Sequence, residues 1–166
     1  MKFRPGGFRP FIDVSASTLT DKTVSLQTLF GARHTAFIAG VLTGPDDQTA
    51  FAAIENFLRA LAPQADATLA LISEIATKIA NDRTITHVDQ IVAQFGIGLR
   101  KLQRLCDDYV GIGPKWMIQR YRLHEAAARI AQEAATDWAD IAIDLGYADQ
   151  AHFIRIARSQ KGCNGR

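Results

Sequence analysis

Between Leu99 and Leu105 the chain sets four long polar donors, Arg100, Lys101, Gln103 and Arg104, around two leucines, Leu102 and Leu105. On a helix, that three-residue spacing turns both leucines to one face and leaves the donors on the other. A second stretch, with Gln150, His152, Arg155 and Arg158, has four basic residues and no acidic one over 151–166. Such faces hold anions or polar ring edges, or else stand solvated and idle. Covalent and metal chemistry find less support. Cys106 and Cys163 lie far apart with no CxxC and no histidine at ligand spacing, so a disulfide framework and a zinc site are not expected. Cys106 reads as a small buried apolar residue. His34, His87 and His124 share no motif, and no cofactor is expected.

The elements that position these donors repeat. Ile91-Val92 and Phe95-Gly96-Ile97 recur as Ile141-Ala142 and Leu145-Gly146-Tyr147, fifty residues on. Past the glycine the offset is fifty-one: Leu102 pairs with Phe153, Arg104 with Arg155, Leu105 with Ile156. Each copy reads as an apolar helix, a glycine, a short turn and a second helix, the order of a helix-turn-helix. Slim residues at Val92 and Ala142 allow close approach, and Gly96 and Gly146 suit a left-handed helix end. Thr86-x-x-Asp89 has the pattern of a capping box, Gly98 stands at the N-cap of the first charged helix, and Asp149 at that of the second. Between the copies, Pro114 suits the first position of a long helix with an apolar stripe of Trp116, Leu123, Ala127, Ile130 and Ala134. About twenty residues at roughly 1.5 Å each span about 30 Å. One turn of B-DNA is about 34–36 Å, so such a rod could present two helices to successive major-groove segments. Trp116 and Trp138 read as core anchors.

Residues 1–24 read as an extended or irregular lead-in. One helix is expected from Ser25 to the Gly44-Pro45 turn, another through Phe51, Ile54, Phe57, Leu58 and Leu61, and a third capped by Asp66 along Leu69, Ile72, Ala76 and Ile79. Strand signals are almost absent after residue 40, so the expected class is all-α. No apolar run approaches the roughly 18 residues of a membrane span, and no apolar core follows the basic N-terminus as a secretory signal requires. A reducing, cytoplasmic setting without a membrane partner is expected. The formal charge of +2 looks too small for a binder of polyanions. Its distribution answers that objection. Residues 1–80 carry seven basic and seven acidic residues, 81–166 carry twelve and ten, and 100–122 alone holds six against two.

Residues 84–158 resemble the DNA-binding domain of AraC/XylS-type transcriptional regulators, which has two helix-turn-helix units joined by one long helix. The resemblance lies in Leu102-Gln103-Arg104-Leu105 with Val110-Gly111-Ile112-Gly113-Pro114-Lys115-Trp116, in Arg120-Tyr121-Arg122-Leu123, and in Ala142, Gly146-Tyr147 and Asp149-Gln150-Ala151-His152-Phe153. It implies a homeodomain-like, dual helix-turn-helix domain over 81–166, preceded over 1–80 by a small helical remnant of a sensor or interaction region. Cys106 and Ala157 stand where the family commonly has a core phenylalanine. The ending from Ile156 departs from the family pattern, and a C-terminal truncation through a reading-frame change is expected.

The resemblance places Arg100, Gln103 and Arg104 at the major groove with Lys101 beside them. It also places Gln150, His152 and Arg155 as contacts of the second unit, with Arg158. Arginine can donate twice to guanine and glutamine can pair bidentately with adenine, each pair worth roughly 1–3 kcal/mol of discrimination. Lys115, Arg120, Arg122 and Arg158 are candidates for phosphate contact, which positions without reading sequence. Double-stranded DNA is the implied partner, with RNA polymerase and a homodimer as further possibilities and no effector indicated. The other reading is a truncated helical interaction module with weak or no DNA binding. Some DNA-repair methyltransferases carry a similar domain, but they need a Pro-Cys-His nucleophile that neither cysteine provides, so no enzyme is expected.

Overall fold

Asp66 opens its helix as its spacing suggests: the carboxylate accepts the Thr68 amide at 2.7 Å, filling one of the four donors that every helix start leaves unpaired. Asp46 does the same one helix earlier, accepting from the Thr49 amide at 2.8 Å. These starts belong to a computed structural model that describes residues 3–61, 63 and 66–132. Among the described residues there are two 3-10 turns, Arg9–Phe11 and Ala16–Thr18, seven α-helices and no strand. The helices are α1 (Leu26–Phe30), α2 (Arg33–Leu42), α3 (Asp47–Ala60), α4 (Ala67–Asn81), α5 (Val88–Phe95), α6 (Leu99–Tyr109) and α7 (Pro114–Gln132). The fold is all-α, as the sequence suggests. No described helix is long and apolar enough to cross a membrane.

Three local details differ from expectation. The single helix expected from Ser25 is two, because Gly31 takes φ +55° and breaks the ladder between α1 and α2. The start of α5 is closed by Gln90, whose side-chain oxygen accepts the amides of Thr86 and His87, each at 2.9 Å. Asp89 instead lies in the first turn, where a negative charge complements the helix dipole. Among the described side chains of α7, Met117, Ile118 and Arg122 are buried, whereas Trp116 is 39% exposed.

One core ties α4 to α7. Ile72, Ile75, Ala76 and Ile79 of α4 meet Ile85, Ile91 of α5, Leu102, Leu105 and Cys106 of α6, and Met117 and Ile118 of α7. Each fully buried aliphatic side chain stabilises by roughly 1.5–3 kcal/mol, against about 1 kcal/mol for a cap, so this cluster fixes where α6 stands. The core reaches back across the boundary expected at residue 81, since α4 supplies four of its members. By contrast, α1 and α3 have no buried side chain. They and α2 are joined through rings: Phe30 and Phe37 pack on Phe57 with centroids 5.2 and 4.5 Å apart, and Phe30 reaches Phe8 at 6.4 Å.

Candidate nucleic-acid interface

Helices α5 and α6 are joined by only Gly96, Ile97 and Gly98. Gly96 ends α5 in the left-handed conformation, φ 60° and ψ 30°, which a residue without a Cβ adopts at no steric cost. Gly98 is the N-cap of α6, as its position suggests, with extended backbone and no side chain to close the first turn. From there the helix divides cleanly. Leu102, Leu105 and Cys106 are buried, while Arg100, Lys101, Gln103 and Arg104 are all exposed. The structure thus gathers the four donors on one open face of one helix. Burial, reinforced by the charge of Asp107, pushes the Cys106 thiol up to about 12.

The charge order along α6 opposes its own dipole. The first turn has no acidic residue and the last turn no basic one. Arg100 and Lys101 stand at the positive end, and Asp107 and Asp108 at the negative end. Cations at a helix N-terminus and anions at its C-terminus each weaken a helix by a few tenths of a kcal/mol. Here they build a positive focus at the end carrying the donors, where unpaired amides already favour an anion. A local rule is broken where an external anion would repair it.

The remaining expected residues separate. Lys115 is exposed in the first turn of α7. Arg120 is half-buried and lies over the exposed Trp116 ring, 5.2 Å from its centroid. Trp116 therefore forms an external ledge with Arg120, not the core anchor its place in the stripe suggests. Arg122 corrects the expectation of a phosphate contact. It is 2% exposed, pairs with Glu125 at 2.7 Å, and donates to the carbonyls of Asp82, at 3.1 Å, and Ile79. Glu125 also holds Arg83 at 2.6 Å, so the buried charge clamps α7 to the end of α4. Gln150, His152, Arg155 and Arg158, with Trp138 and the second glycine turn, lie outside the described residues.

Sequence reading misses the company that α6 keeps at its C-terminal end. Tyr109 donates to the Asp66 carboxylate, which raises the phenol and holds the carboxyl below its ordinary range. Arg9, ninety-nine residues before Asp108, bonds to it at 3.1 Å. Nothing in the local pattern of either residue announces the pair.

A protein-family model described as a helix-turn-helix domain matches residues 91–164. The match supports an AraC-type DNA-binding domain over these residues. No curated protein and no solved structure matches the chain. The AraC-type match begins inside α5, takes in the open face of α6 and runs beyond the described residues. A domain of this type binds DNA and serves transcription regulation, and its family is regulatory, not enzymatic.

Proposed function

We propose that the chain is a sequence-specific transcription regulator whose α6 enters the major groove. The observation that carries this reading is the exposed donor face of α6, with its charges set against the helix dipole inside an AraC-type domain. Arg100, Gln103 and Arg104 face base edges with Lys101 beside them, and Lys115 meets a phosphate. Residues 81–166 act as the DNA-binding unit with α4 completing its core, and 1–80 as the remnant of a sensor or interaction region. Gln150, His152 and Arg155, with Arg158, supply a second reading helix in the adjacent groove segment. Regulation then proceeds by recruiting or blocking RNA polymerase, with a homodimer as one arrangement on DNA.

The test uses a duplex recovered by selection from a random-sequence pool. Binding followed by fluorescence anisotropy should weaken with salt by a log–log slope of about −0.9 per phosphate contact. Arg104→Ala should lower affinity for the selected duplex about thirtyfold, the middle of the roughly 1–3 kcal/mol of one bidentate base contact. On random DNA the loss should be several-fold smaller. Equal losses on both would reduce Arg104 to a phosphate contact. Failure to recover any sequence, with no binding at low salt, would favour a helical interaction module in place of a regulator.

A further inference from the structure

Residues 6–20 dock against the C-terminal end of α6. Arg9 Nε bonds to Asp108 Oδ1 at 3.1 Å, and its guanidinium lies over the Tyr109 ring, 5.9 Å from the centroid. The same guanidinium holds the carbonyl of Ile12 at 2.8 Å, and Ile12 is only 4% exposed. Ser15 Oγ donates to the Asp107 carbonyl at 3.3 Å, and Thr20 Oγ1 to the Gly111 carbonyl at 2.6 Å. The approach at Gly111 is so close that a Cβ there would stand 2.6 Å from Thr20 Oγ1 and 2.9 Å from the Ala16 carbonyl oxygen. On the other side, a Cβ on Gly6 would lie 3.1 Å from Ile72 and 3.2 Å from Leu69 of α4. Ser15 and Arg104 both line a groove of about 490 Å³ between the segment and the helix.

These contacts bear on how α6 is aimed. The helix is eleven residues long, about 16 Å at 1.5 Å per residue, and behaves as a short rod. Its core leucines grip one face, which leaves rotation and tilt about that face to be settled elsewhere. The docked segment grips the flank and the far end, at Asp107, Asp108 and Gly111. Fixing that end fixes the angle at which Arg100, Gln103 and Arg104 are presented at the other. We propose that Arg9, Ser15 and Thr20 are positioning residues of the DNA-reading helix: they touch no DNA and set the pose in which α6 meets it. This rests on the reading of α6 as the helix that enters the groove.

Charge makes the proposal separable from simple electrostatics. Arg9→Gln removes a cation and Asp108→Asn an anion, so a direct effect on phosphates would weaken binding in the first and tighten it in the second. If the pair positions α6, both weaken binding to the selected duplex, by about two- to fivefold from an ion pair of this exposure. The double variant should then lose less than the product of the two. Thr20→Val, which deletes the hydroxyl without changing charge or shape, should act in the same direction.

Hydrogen exchange on the full chain without DNA gives the independent reading. Amides 107–111 should exchange faster in all three variants, with far-UV circular dichroism unchanged. Opposite shifts on DNA for Arg9→Gln and Asp108→Asn, with protection of 107–111 intact, would overturn the proposal. If the unaltered chain binds no duplex, the functional reading fails by itself and exchange decides the docking: faster exchange supports it, and unchanged protection in all three variants overturns it.

Discussion

Cys106 and Gly111 sit five residues apart and make opposite demands. Cys106 has no solvent exposure, and its thiol is pushed up to about 12, so the reactive thiolate is nearly absent at neutral pH. In a Cys163→Ser background, iodoacetamide should leave Cys106 unlabelled in the native protein and label it fully in urea, as read by mass spectrometry. Native labelling at the rate of a free thiol would mean that α6 does not pack as described. Gly111 is constrained by backbone, at φ +84°. Gly111→Ala adds a left-handed strain of about 1 kcal/mol to a Cβ clash with the Ala16 carbonyl. A total loss of about 2 kcal/mol is expected from urea unfolding. An equal loss in Gly98→Ala would undo the explanation, since a Cβ at Gly98 meets nothing within 4 Å and its φ is an ordinary −68°.

The helix α6 trades stability against charge, and one substitution separates the two. Gly98→Asp gives the N-cap an acceptor and the helix dipole a complementary charge, which should stabilise by about 0.5–1 kcal/mol in thermal unfolding. The same carboxylate, two residues before Arg100, should weaken binding to any duplex; tighter binding would remove the anion from the account of this helix end. The clamp between α4 and α7 depends on one buried cation. Arg122→Ala takes the donor from two carbonyls and leaves Glu125 with Arg83, and should cost about 2–3 kcal/mol in urea unfolding. These elements also mark what local sequence could reveal. The starts of α4 and α7 and the outward donors of α6 were legible, because Asp66, Pro114 and the Leu102–Leu105 spacing act within one or two turns. The inward turn of Arg122 was not, because its burial depends on carbonyls at Ile79 and Asp82, some forty residues away. The same distance problem hid Arg9, and Trp116 faced outward because Met117 and Ile118 took the core.

Across the whole molecule, carboxylates at three helix ends share one pH dependence. Asp82 closes α4 and is held at about 2, first by the Thr84 hydroxyl and then by Lys78, against an ordinary 3.8. Asp66 opens α4 and is lowered chiefly by the Tyr109 hydroxyl, and Asp46 opens α3 and is lowered chiefly by the Thr49 amide. In each case the folded chain keeps its carboxyl ionised at a pH where the unfolded chain has begun to take up a proton. Their stabilisation is therefore complete above the unfolded value of 3.8 and is withdrawn as pH falls from there toward 2. Below that range, nineteen lysines and arginines face few remaining anions, and self-repulsion adds to the loss. The urea midpoint should accordingly be flat near neutrality and fall steeply between pH 4 and 2. Asp82→Asn should lower the plateau and flatten the fall, because the group that discharges last has been removed. A variant curve parallel to the unaltered one across that whole interval would show that the Thr84 and Lys78 contacts do not hold Asp82 in solution.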